Sequence, residues 1–267
     1  MPPDVANEKP VIDHPAASKD VAGIVDFADI LARKTGAKYV YCTGKFVSRA
    51  PGYTEILSCR ALTGEEVFSR LIDLYALRYG DGDRRAVVSM WTMYYFSTLM
   101  IGAAVSWLEL RRVLPLRLDR LSLAVDAKSG EPRAFVLSDW GREDEGASVH
   151  EAFHEVIREH AEPLIDAIAA QAGVSRKLLW ANAAGYLGWI VGEIGRLTDP
   201  VLAVEGRVLL DDPFWPDGWK NPMHGMIRQE CGQGGETIDR RRVCCLRYAL
   251  PGIAGCGMVC PLPQGRN

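Results

Sequence analysis

Apolar positions recur at helical spacing through much of the chain. Val21, Ile24, Phe27, Ile30 and Leu31 share one face of a helix that Asp20 can cap and that ends at Gly36. Phe68, Leu71, Ile72 and Leu74 line a second helix, opened by the capping-box pattern of Thr63 and Glu66 and running to about Arg78. Between the two, KYVYCTGKFV is apolar and partly alternating, hence strand-like, and RAPGY reads as a turn. Residues 116–125 and 133–137 are alternating or β-rich on either side of DAKSGEP, the pattern of a hairpin.

Residues 87–108, VVSMWTMYYFSTLMIGAAVSWL, carry no charge over a length that could span a bilayer. Aromatic, Ser and Thr side chains run throughout, and arginines on both sides (Arg84 and Arg85, Arg111 and Arg112) set no orientation. The segment reads as a buried central helix, with a membrane span as the alternative. Two more long helices are expected, one after Ser148 to about Ala172 and one after Ser175 to about Leu197. The second has Leu179, Ala183, Tyr186, Leu187 and Ile190 at helical spacing. DDPFWPDGWKNP is a Pro- and Trp-rich loop, and CGQGGE a flexible link.

The expected fold is therefore α+β, predominantly α-helical with a small antiparallel sheet. The expected organisation is a flexible tail (1–20), a mostly helical body (21–230) and a C-terminal segment (231–267). With 267 residues, 48% hydrophobic, 24% charged and a net charge of −3, the chain can bury a large core and offers no bulk attraction to nucleic acid. Its first twenty residues lack the basic and apolar regions of a signal peptide. An odd number of cysteines, seven, without an export signal fits a reducing cytoplasm, where clustered thiols more often hold a metal than a disulfide.

Two patterns suggest metal chemistry. HEAFH at residues 150–154 matches the H-E-x-x-H pattern of zinc peptidases, with His150 and His154 as ligands, Glu151 as base and His160 in the place of a third ligand. Position 157 is Ile where the extended pattern needs a turning glycine, so the stretch reads instead as one face of an amphipathic helix burying Val149, Phe153, Val156 and Ile157.

The second pattern is RRVCCLRYALPGIAGCGMVCP, which puts Cys244, Cys245, Cys256 and Cys260 inside seventeen residues. Adjacent cysteines lie about 3.8 Å apart at Cα, below the usual disulfide range of about 4.4–6.8 Å, so a bond between Cys244 and Cys245 would be strained. Only the half from Cys256 to Cys260 resembles a zinc knuckle. Two pairs of thiolates match the count of a [2Fe-2S] cluster, one pair for each iron, so spacing leans toward the cluster and leaves zinc open. Arg240, Arg241, Arg242 and Arg247 bracket the first pair, either as cations stabilising a thiolate cluster or as a solvated basic run. Gly252, Gly255 and Gly257 allow tight backbone bends. Cys42 and Cys59 read as buried structural residues, and Cys231 as a spare thiol.

RRVCCLRY followed by LPG, CG and CP resembles the C-terminal signature of the FhuF-like ferric siderophore reductases, Cys-Cys-x10-Cys-x2-Cys. Here Gly257, Met258 and Val259 make the last spacing three residues. SMWTMYYFSTLM, the hairpin, LLWANAAGYLGWIV and NPMHGM extend the resemblance upstream, to roughly residues 65–262. The upstream part also resembles the C-terminal portion of aerobactin-type siderophore synthetases, without a phosphate-cradling glycine motif. The FhuF-like resemblance implies a cytoplasmic oxidoreductase whose C-terminal segment binds a [2Fe-2S] cluster through Cys244, Cys245, Cys256 and Cys260. It further implies one-electron reduction of iron(III) in a hydroxamate-type siderophore, with electrons from an external donor and at most peripheral membrane association. Arg242, Arg247, Tyr248, Trp215 and Trp219 are candidates for substrate contact, packing being the alternative for the tryptophans. A non-enzymatic zinc-binding or iron-sulfur sensor protein is the alternative function.

Overall fold

A computed structural model describes residues 26–52, 54–231, 237–253, 256 and 259–262. The expected tail, Val21 and Ile24, and the CGQGGE link from Gly232 lie outside the described residues. The first helix, α1 (Phe27–Thr35), starts behind Asp26 and ends at Gly36, whose φ of 63° suits a residue without Cβ. KYVYCTGKFV is not one strand: it forms a 3₁₀ turn (Val40–Cys42), and only its end is β1 (Phe46–Val47). Tyr39 anchors the turn: its carbonyl accepts from Cys42 N at 2.8 Å while its hydroxyl donates to Glu109 at 2.5 Å, 70 residues away. The strand β2 (Thr54–Ser58) follows the RAPGY turn and was not anticipated by the apolar pattern.

The next helix, α2 (Glu65–Ala76), buries Phe68, Leu71 and Ile72, but the Thr63 cap is absent. Gly64 is the N-cap, and the Thr63 hydroxyl turns back to donate to the Arg60 carbonyl at 2.8 Å. The axis of the protein is α3 (Arg84–Leu110), capped by Asp83, which accepts from Arg85 N at 2.8 Å. It is the one helix among the described residues long and apolar enough to cross a membrane, and 94% of its most apolar stretch is buried inside the protein. A helix apolar all round needs neighbours on every side, and here the protein itself supplies them.

After β3 (Arg112–Val113) come β4 (Ser122–Asp126) and β5 (Pro132–Val136), the expected hairpin, with Leu123 opposite Phe135. The sheet runs β1-β5-β4-β2; β4 is antiparallel to both neighbours, and β1 adds a parallel edge at Phe46↔Phe135. It packs on α3 through Tyr95 and Phe135, whose ring centroids are 5.0 Å apart, and Trp91 Nε1 donates to the Gly130 carbonyl in the hairpin turn at 2.8 Å. Close approach is possible because α3 carries Gly102: a Cβ there would stand 2.4 Å from the Phe46 ring.

A short β6 (Arg142–Glu143) pairs with β3. The long helix after Ser148 is α4 (Val149–His154), a π-helical turn (Glu155–Ala161) and α5 (Glu162–Ala172) in succession. Ser175 caps α6 (Arg176–Leu197), which packs along α3. A further helix, α7 (Pro200–Asp211), was missed by the periodicity. Asp199 caps it, and Glu205 makes a forked ion pair with Arg111 at 2.6 and 2.7 Å, tying α7 to the end of α3. The last ladder, β7 (Ile227–Cys231) against β8 (Thr237–Arg241), lies on α6 and begins ahead of residue 231.

Candidate metal centre

The cysteine segment leaves β8 and returns to α3. Leu246 adopts φ 61° and ψ 7°, a left-handed conformation that costs a residue with a Cβ on the order of 1–3 kcal/mol. The result is local and chemical: the Leu246 amide points back at the Cys244 sulfur, 3.3 Å away. A 3₁₀ turn (Arg247–Ala249) follows, then Gly252 at φ 72°. Leu250 and Pro251 pack at Gly82, just ahead of α3. Gly255, Gly257 and Met258 lie outside the described residues.

All seven cysteines are free thiols. Cys245, Cys256 and Cys260 are 2%, 8% and 2% exposed, and Cys244 is half-buried. Cys245 Sγ lies 3.1 Å from Cys256 Sγ. Either sulfur can donate to the other, and the contact with Cys256 holds Cys245 toward thiolate, with help from the charges of Arg241 and Arg247. Cys256 is correspondingly pushed up, first by that same hydrogen bond and then by burial. Cys244 and Cys260 lie close enough to act electrostatically on this group.

Four soft donors and a backbone N–H aimed at one sulfur are the chemistry that a thiolate-ligated metal or iron-sulfur cluster requires. As placed, no group of three or more His, Cys, Asp or Glu side chains among the described residues is disposed to hold a metal ion. Closing all four sulfurs on one centre therefore requires the segment to adjust, the usual coupling of metal binding to local folding. The residues fit such a group by donor type and number.

The arginines divide by role. Arg240 donates to Glu230 and, from Nη1, to the Cys260 carbonyl at 3.0 Å, stapling the last cysteine to β8. Arg241 turns into the helical body, Arg242 is exposed, and Arg247 acts on Tyr94, Tyr186 and Cys245. Tyr248 is 56% exposed beside them. The tryptophans are placed by packing. Trp215 is buried against His150, ring centroids 5.0 Å apart, and Trp219 sits 5.1 Å from Trp215 and under Arg158.

The HEAFH stretch is scaffold. Glu151 accepts from Ser148 N at 2.7 Å and completes a capping box, His150 faces Trp215, and His154 lies 3.5 Å from Glu159. His160 is in the core, where Nδ1–H donates to the Leu116 carbonyl at 2.7 Å and Nε2 accepts from the Tyr95 hydroxyl at 2.5 Å. Burial lowers its pKa to about 4, so it is neutral near pH 7. Burial likewise pushes the Cys42 and Cys59 thiols up to about 12, as expected of inert structural cysteines.

Sequence reasoning missed Asn182, a fully buried amide that meets Arg241. Its signal was a lone Asn within the apolar run LLWANAAGYL.

Comparison with known proteins draws on the body more than on the cysteines. A solved structure of the aerobactin synthetase IucC from a hypervirulent pathotype of Klebsiella pneumoniae aligns with a TM-score of 0.49 at 14% identity, over 65% of this chain and 37% of that one. ATP-bound IucA from the same source gives 0.47 at 13% identity, over 64% and 37%. Both values are too low to assign a shared fold. The ferric siderophore reductase of Escherichia coli (strain K12) is 22% identical over 179 residues, 66% of this chain and 65% of that protein's length. The sequence profile of the family described as "Ferric iron reductase FhuF-like transporter" matches residues 89–234, a span that stops short of Cys244. That span holds most of α3, the sheet hairpin, α6 and α7, more than half of the 267 residues, and on it the chain belongs to the FhuF-like ferric iron reductase family.

Proposed function

We propose that this protein reduces iron(III) held in a hydroxamate-type siderophore, by one electron, and releases iron(II) in the cytoplasm. Hydroxamate oxygens are hard ligands that hold iron(III) far more tightly than the larger, less charged iron(II), so reduction is the release step. The observation that carries the reading is the gathering of Cys244, Cys245, Cys256 and Cys260 on the body of a FhuF-like chain. These four would hold a [2Fe-2S] cluster, which when bound supplies single electrons at low potential.

The chain's own residues have three tasks. Leu246 N–H and the charges of Arg241 and Arg247 offset negative charge on sulfur. Burial of three of the four thiols excludes water from them. Tyr248 and Arg242, exposed on the same segment, and Arg247 would supply aromatic and cationic contacts to a bulky chelate. Trp215 is buried against His150 and Trp219, which leaves it a packing role. The sequence carries no nicotinamide or flavin fingerprint, so electrons arrive from an external donor.

The spacing from Cys256 to Cys260 also satisfies a zinc knuckle, the basis of a non-enzymatic reading. Metal and sulfide analysis of anaerobically purified protein separates the two. The proposal expects two irons and two sulfides per chain, visible absorption bleached by dithionite and an EPR signal on reduction. One zinc without iron or sulfide overturns it.

A further inference from the structure

Arg241 is 7% exposed and lies at the end of β8. Its Nη2 donates to Asn182 Oδ1 in the first half of α6. The Asn182 amide nitrogen donates in turn to the Ser89 carbonyl at 3.1 Å, Ser89 Oγ at 3.2 Å and Thr92 Oγ1 at 3.1 Å, all near the start of α3. The guanidinium is thereby anchored to both central helices. Yet Arg241 Nε is buried without a hydrogen-bond partner, and no carboxylate pairs with this cation among the described residues.

A buried charge without a counterion costs several kcal/mol, so its retention calls for an anion nearby. The neighbours available are sulfurs: Cys244 follows Arg241 by three residues, and Cys245 and Cys256, buried with 3.1 Å between their sulfurs, lie within reach of its charge. Arg240 is already engaged by Glu230 and the Cys260 carbonyl, and Arg242 is exposed, where water and salt screen it.

We infer that Arg241 is the resident countercharge of the four-cysteine centre and that Asn182, braced by Ser89 and Thr92, is the positioning residue that holds it there. The inference rests on the cluster reading of the segment. Four thiolates around two irons carry net negative charge, and each electron adds one more; a fixed buried cation stabilises the reduced form more than the oxidised one and raises the potential. It also gives the upstream stretches around Ser89 and Asn182 a physical connection to cysteines more than sixty positions later.

The test is the midpoint potential of the reconstituted full chain, followed by EPR during dye-mediated titration. Arg241→Gln is expected to lower the equilibrium constant for reduction at least tenfold, a shift of ~59 mV or more to the negative side for one electron. Asn182→Asp, which places a carboxylate beside the guanidinium, is expected to shift it the same way, and Arg241→Lys to stay within threefold of the parent. If Arg241→Gln does not fold, Asn182→Asp carries the same test with the size of the side chain preserved. A merely structural role would alter thermal stability and leave the potential of the folded protein in place. Unchanged potentials in cluster-loaded variants overturn the inference alone, whereas a parent protein that takes up zinc and no iron-sulfide chromophore overturns the cluster reading and the inference with it.

Discussion

Cys245 and Cys256 face each other with 3.1 Å between their sulfurs, although ten residues and a 3₁₀ turn separate them. Within the signature this joins one member of the adjacent pair to the first member of the later pair. The contact is buried, and the charges of Arg241 and Arg247 help to hold Cys245 toward thiolate.

Substituting any one of the four by serine tests which sulfurs matter. Cys244→Ser, Cys245→Ser, Cys256→Ser and Cys260→Ser are each expected to lose the visible chromophore and the bound iron and sulfide. Cys42→Ser and Cys59→Ser are expected to keep them while losing about 1–3 kcal/mol of stability, because a hydroxyl replaces a buried thiol. Iron and sulfide determination alongside thermal unfolding reads both effects.

Cys260 is a separate question because three residues precede it where the resembling signature has two. Arg240 holds the Cys260 carbonyl at 3.0 Å, which fixes where the chain passes after the insertion. Loss of the EPR signal in Cys260→Ser is the expected outcome, and a normal signal would mean that the extra residue has displaced this ligand.

Acid should destabilise the core through His160. Its folded-state pKa of about 4 lies below the unfolded value of about 6.5, so the unfolded chain binds the extra proton between those values. The stabilisation is complete above about pH 6.5 and is lost as pH falls through about 4, on the order of 3 kcal/mol. Denaturant titrations from pH 7 to pH 4 should show the decline, and His160→Gln should flatten it. An equally steep decline in the variant would place its cause elsewhere.

Helix packing offers a test far from the cysteines. Gly206 on α7 faces α3 and α6, where a Cβ would stand 2.8 Å from Val191 Cγ2 and 3.0 Å from Leu108 Cδ1. Gly206→Val is expected to cost about 1–3 kcal/mol or more in thermal or denaturant unfolding, since the packed side chains must give way.

The same glycine shows where sequence and structure part. In PVLAVEGRVLLD the Gly weakens a helical reading, yet it is there for close packing, and the Asp199 cap and Pro200 at the first helical position were the usable signals. Residues 87–108 were legible because an uncharged run of that length must be buried in protein or lipid. The DAKSGEP hairpin was legible because alternation and turn residues are local. KYVYCTGKFV misled because Tyr39 takes partners at Glu109 and Thr198, which no local pattern encodes. At the centre, thiol spacing singled out the four candidate cysteines, but the link from Asn182 to Arg241 joins residues 59 positions apart and is visible only once α6 and β8 are packed.

The central claim is electron transfer to iron(III) in a siderophore, and anaerobic mixing addresses it most directly. Protein reduced beforehand is mixed with a panel of ferric siderophores while cluster absorption and iron(II) capture by a chromogenic chelator are followed together. The account expects reoxidation with ferric hydroxamates and one iron(II) captured for each electron lost. Absence of reoxidation, or reoxidation without iron(II), would contradict it.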